Sequence, residues 1–173
     1  MRHSYKIKDV TFTLILFCMI RSYSILILLV SACVILPYVL TLEKEILFLA
    51  IEAETTFLFG IIFSFALHEF FHIFFLKKRH GDSNVDIIFG WNKITVVPFI
   101  PAIDGYTIIK VAVYPLLILF SFGIILFLIA LVADIFLFKI LSLVYILHII
   151  NIIPPLGDGM MLIKGIFKLI ERR

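Results

Sequence analysis

The chain has 173 residues, 63% of them hydrophobic and only 16% charged, with 19 Phe and a mean hydropathy of +1.19. A soluble domain averages about 45–50% apolar and about 25% charged residues, so the bilayer must solvate most of this chain. The formal charge of +3 is too small and too scattered to suggest a nucleic-acid partner, and the length allows one compact bundle, a single membrane-embedded domain over 1–173.

Val10–Ile20 is apolar but too short to span a membrane, and Arg21 separates it from the run that follows. Its Thr11-Phe12-Thr13 has β-type residues, so an interfacial segment, a strand or an extension of the first helix are all open. The first span covers approximately 22–42. Within it, Leu29 to Cys33 looks like a lipoprotein processing box, but Val34-Ile35-Leu36-Pro37 continues the apolar run, so the segment reads as a retained span. Cys18 and Cys33 form neither a disulfide framework nor a CxxC pair.

The second span covers approximately 55–76. In the connection after it, Val85–Phe89 and Lys93–Val97 flank Gly90-Trp91-Asn92, which predicts a small β-hairpin with a three-residue turn. Pro98 and Pro101 are expected to end its second strand. Such a hairpin either caps the bundle or offers an edge to an extended peptide. Asp104-Gly105 reads as a turn, and the third span covers approximately 111–133. A fourth apolar run, 140–153, ends at Pro154-Pro155, because proline lacks an N–H and disfavours helix in the residue before it. The fold expected is an all-α membrane protein of about four transmembrane helices, with a small cytoplasmic hairpin between helices two and three.

Charge orients the spans. Arg2, Lys6 and Lys8 precede the first, Lys77-Lys78-Arg79 follow the second, and Lys164, Lys168, Arg172 and Arg173 close the chain. Glu43, Glu45, Glu52 and Glu54, against the single Lys44, lie between the first two spans. Basic residues favour the cytoplasmic side, which predicts both termini and the 77–110 connection inside.

The chemistry lies in His68-Glu69-Phe70-Phe71-His72. Histidines at i and i+4 share a helix face, so both imidazoles can reach one metal ion, and the adjacent Glu69 is placed to take a proton from water. Without a metal, these would be ionisable groups in hydrocarbon serving a proton relay or polar packing. A catalytic zinc has three protein ligands, and the best third candidate is Asp158 in Gly157-Asp158-Gly159, a sequence that also suits an ordinary turn. At 1.5 Å per residue, His72 and His68 lie about 8 and 14 Å inside the cytoplasmic boundary marked by Lys77. A fourth helix starting near Lys139 covers only about 21 Å of a core of roughly 30 Å, which leaves the turn after it about 9 Å below the same boundary. The two half-sites are thus expected to meet at one depth.

An HExxH in one membrane helix, followed by Asn-x-x-Pro…Asp-Gly at the end of a later one, resembles the site-2 proteases. The resemblance covers roughly residues 55–160 and implies His68, His72 and Asp158 as ligands of one Zn2+ per chain, with Glu69 as catalytic base. It also matches Asn151 and Pro154 to the second motif as supports of the site or substrate, and Tyr114-Pro115, opening the third helix, to a Gly-Pro of the family. Phe71 stands where the family commonly has glycine, Gly157 where it has leucine, and the Asn-to-Asp spacing is one residue shorter. With no PDZ domain, the chain looks like the short zincin relatives.

Tyr145, His148 and Asn151 form a polar stripe best explained by hydrogen bonding inside the bundle. The function expected is intramembrane proteolysis of a membrane protein or peptide substrate in a bacterial cell membrane, with the site toward the cytoplasm. The rivals are a non-catalytic metal-binding or immunity-type membrane protein and a transporter; no internal repeat supports the last. Neither substrate identity nor oligomeric state is legible.

Reporter fusions test the orientation. Fusions at Glu45 and Asp134 should read external, and fusions at Arg79 and Arg173 cytoplasmic. An external reading at Arg79 would reverse the charge argument.

Overall fold

The computed structural model describes residues 2–89, 94–100 and 103–171. It is mostly helical, with four helical stretches long and apolar enough to cross a membrane: Ser24–Thr41, Lys44–His80, Gly105–Ala133 and Phe136–Ile170. A small three-stranded antiparallel sheet accompanies them.

The chain opens with a strand, β1 (Arg2–Lys6), which no apolar alternation announces. The following 12–22 segment is a helix of its own, α1 (Phe12–Ser22), rather than a strand. Thr11 starts it as N-cap, its hydroxyl accepting the Leu14 N–H at 3.1 Å. The chain bends at Tyr23 into α2 (Ser24–Thr41), which has no buried residue, and turns back at Leu42, whose φ of 56° is left-handed.

The returning helix begins earlier than the expected residue 55. α3 (Lys44–Thr55) runs through a π-helical stretch, Thr56–Phe63, into α4 (Ser64–His80), so 37 residues form one rod. The acidic residues 43–54 suggested a connection, yet Glu, Leu and Ala are also good helix formers. Ser31 of α2 donates to Glu54 of α3 at 2.7 Å, tying this hairpin together.

β2 (Asn84–Phe89) and β3 (Ile94–Phe99) form the expected hairpin, though its turn, 90–93, lies outside the described residues, as does Pro101. β1 pairs with the other edge of β2, His3 facing Ile87. Pro98 does not end β3. It sits inside the strand opposite Val85, which is tolerated because β3 is an edge. Val85 and Ile87 close over Ile7, Ile15, Ile73 and Leu76, so the sheet caps the ends of α1 and α4.

α5 (Gly105–Ala133) is the central helix, packed against α4 and both helices that follow. Asp104-Gly105 is its start rather than a free turn. Asp104 caps it, accepting the Thr107 N–H at 2.9 Å and the Thr107 hydroxyl at 2.7 Å, bonds that hold its carboxyl below the usual range. Pro115 therefore falls inside the helix instead of opening it. α6 (Phe136–Leu147) returns alongside, and a 3-10 turn, His148–Ile152, ends at Ile153 in an extended conformation, so the stop before Pro154 is where proline requires it. The chain then starts α7 (Gly157–Ile170), which lies against α5 where Gly105 and Gly165 allow close approach.

The geometry after the break depends on Gly159. A Cβ there would stand 2.5 Å from the Ile152 carbonyl oxygen and 2.7 Å from the Pro154 nitrogen, both rigid backbone atoms. Gly157, by contrast, faces open space. Gly159→Ala should destabilise the protein by about 1–3 kcal/mol through overpacking, while Gly157→Ala stays near wild type. Thermal unfolding of the two variants in detergent measures the difference.

Candidate metal centre

α4 places His68 and His72 one turn apart on the face that meets α5 and the start of α7. Both rings are buried, their planes at 87°, with the Nε2 atoms 3.1 Å apart. Nδ1 of His72 lies 2.8 Å from the Val111 carbonyl oxygen of α5. A neutral imidazole that donates from Nδ1 keeps its lone pair on Nε2, so this bond aims His72 as a ligand into the site.

Asp158, in the first turn of α7, enters the same point from the far end of the chain. Its Oδ2 is 3.0 Å from His68 Nε2 and its Oδ1 is 3.2 Å from His72 Nε2. Despite that proximity, Oδ2 accepts no hydrogen bond of adequate geometry, and His68 Nδ1 is likewise unpaired among the described residues. Glu69 is half-buried, and a carboxylate oxygen of it lies within 4.8 Å of the histidine nitrogens. His68, Glu69 and His72 thus form a group that could hold a metal ion, and Asp158 adds a second carboxylate beside it.

The donor set fits such an ion. Two imidazole nitrogens with carboxylate oxygens suit a first-row divalent metal better than the all-oxygen cages of calcium or magnesium. A buried carboxylate with an unsatisfied oxygen is also costly unless a cation offsets it.

The group faces a cavity of about 780 Å³. Its lining has a polar part, His68, Glu69, His72, Asn151 and Asp158, and an apolar part, with Met19, Leu26, Phe57, Ile61 and Phe65, plus the ring of Tyr23. Val97 and Pro98 of β3 reach its rim. Asn151 therefore sits among the cavity-lining residues. Pro154 is exposed and does not line the cavity; it lies against Gly159, and Pro155 takes the lining position.

Sequence reasoning left His148 as packing. It is buried behind the site, its ring centroid 5.6 Å from that of His68 and 4.9 Å from that of Phe65. The available signal was its place three residues before Asn151, one turn of a 3-10 helix. The π-helical stretch before α4 also went unread. Side-chain hydroxyls bond to carbonyls along it: Tyr145 donates to Phe59 at 3.1 Å, and the Ser64 hydroxyl to Gly60.

No protein-family model, no curated protein and no solved structure matches the chain.

Asp158→Asn keeps the shape of the side chain but removes the charge that lies between both imidazoles. Zinc affinity of the purified variant should fall at least tenfold relative to wild type, since even an outer-shell partner of a ligand is worth about 10–100-fold, and metal content at limiting free zinc should fall with it. Elemental analysis after dialysis against buffered zinc reads it, and full retention in the variant would exclude Asp158 as a ligand.

Proposed function

We propose that the chain is an integral-membrane zinc metalloprotease of the site-2 protease type, hydrolysing peptide bonds of a membrane-associated substrate. The observation that carries this reading is the convergence of two imidazole nitrogens and a carboxylate on one buried point, at the wall of a largely apolar cavity that also receives Glu69. His68, His72 and Asp158 would hold one ion per chain, a His₂/carboxylate set that leaves a position for water or substrate. When bound, zinc supplies Lewis acidity toward a carbonyl oxygen and toward water.

The protein's own groups divide the remaining work. Glu69 accepts the proton of the attacking water and returns it to the leaving amine. The Asn151 amide, in the same wall, is a donor for the oxygen that gains charge during attack. The apolar part of the lining solvates an apolar peptide and limits the water that reaches it. Because a membrane helix hides its peptide bonds, the substrate must unwind locally, and the outer edge of β3, which reaches the cavity rim, supplies backbone partners for an extended strand. Four stretches able to span, with basic clusters at one end, support a chain with both termini in the cytoplasm and the site toward that side.

Glu69→Gln separates catalysis from metal binding. The amide cannot accept the water's proton, so cleavage of a pool of fluorogenic apolar peptides in proteoliposomes should drop about 10²–10⁴-fold. Zinc content should stay at the wild-type level. A wild-type chain that binds zinc yet cleaves nothing in the pool, and is indifferent to this substitution, would instead be a non-catalytic metal-binding membrane protein.

A further inference from the structure

The bond that aims His72 has an unusual source. In an α-helix the carbonyl of residue i accepts from the N–H of residue i+4. For Val111 that residue is Pro115, which has no N–H. α5 nevertheless runs unbroken from Gly105 to Ala133 across this gap. The Val111 carbonyl is thus left without its helical donor, and the imidazole Nδ1 of His72 stands 2.8 Å from it.

We propose that Pro115 is a positioning residue of the metal centre: by withholding an N–H, it reserves the Val111 carbonyl for His72. A proline inside a helix is destabilising, and so is a buried carbonyl with no donor. At this position one imidazole hydrogen bond offsets the second of these costs. Pro115 is itself fully buried where α5 meets its neighbours, so its role is read through His72 and not through contact with substrate. The contrast within the pair supports a dedicated arrangement, since Nδ1 of His68 has no partner among the described residues while Nδ1 of His72 has a full-strength one. The proposal rests on the metal-binding part of the function proposed above and not on proteolysis.

The test uses zinc and the full-length chain in detergent. Pro115→Ala and Pro115→Val both restore the N–H, but one shrinks and the other enlarges the side chain. A hydrogen-bond role predicts the same loss from both, about tenfold or more in zinc affinity by competition with a chromophoric chelator. Helical melting should hold or rise, because each substitution removes a helix breaker. Either variant binding zinc within twofold of wild type overturns the proposal, and so does a loss confined to one of them, which would mark packing. Nitrogen-15 histidine spectra of the zinc-loaded wild type need no variant at all. They should show His72 bound to zinc through Nε2 with its proton on Nδ1, and coordination through Nδ1 also overturns the proposal. Failure of the wild type to bind zinc would instead sink the metal centre itself, and that is read from the wild-type arm alone.

Discussion

Asp158 brings a carboxylate into the bundle with each oxygen against a different imidazole, Oδ2 toward His68 at 3.0 Å and Oδ1 toward His72 at 3.2 Å. Three groups that prefer water are thereby removed from it together. The carboxylate is the costliest of them to bury alone, since an isolated charge in an apolar interior is among the most unfavourable features a protein can carry. Bound as a group they can share a cation or protons, so the placement of each depends on the other two. Much of the surrounding architecture follows from that requirement.

The requirement falls on backbone that is not regular. α6 stops short, and the chain turns so that Asp158 opens α7 beside the histidines. The 3-10 turn at His148–Ile152, the prolines after it and the close approach at Gly159 build that turn. From there α7 leaves along α5, with Gly105 and Gly165 letting the two backbones come within a distance that any side chain would prevent. On the other side, the π-helical stretch ahead of α4 resets the rotation of the rod just before His68, and Ser64 and Tyr145 take up carbonyls along it. Helix irregularities therefore flank the site on both sides, each with an identifiable hydrogen-bond partner.

The HExxH spacing and the helix stop at Pro154 were legible because each depends on local rules: a 3.6-residue period and the missing proline N–H. The meeting of Asp158 with His68 and His72 was legible for a further reason. In a membrane helix, sequence position reports depth, and two depths can be compared without knowing the packing. What stayed hidden depended on lateral neighbours. β1 is a strand only because β2 offers it an edge, and its His3-Ser4-Tyr5 carries no pattern that says so. α1 looked ambiguous because Thr11 was counted as a β-former and not as a cap. Pro98 was taken as a stop because the edge position of β3 could not be foreseen, and Asp104 as a turn because its cap shows only with Thr107. His148 illustrates the limit most plainly: in the sequence it is only part of a polar stripe inside the bundle, and the packing brings its ring against that of His68.

The polar and apolar parts of the cavity lining differ in how firmly they are held. The polar wall is fixed by backbone: Val111 on His72, the tight turn under Asp158, the α5–α7 glycine contact. Its geometry is set before any ligand arrives, which is what a site needs if its groups are to act without reorganising. The apolar wall includes Tyr23 and Leu26 at the start of α2, a helix with no buried residue that leans on α3. Elements with few buried contacts open at low free energy, so α2 is the part of the lining that can yield while His68, His72 and Asp158 stay in register.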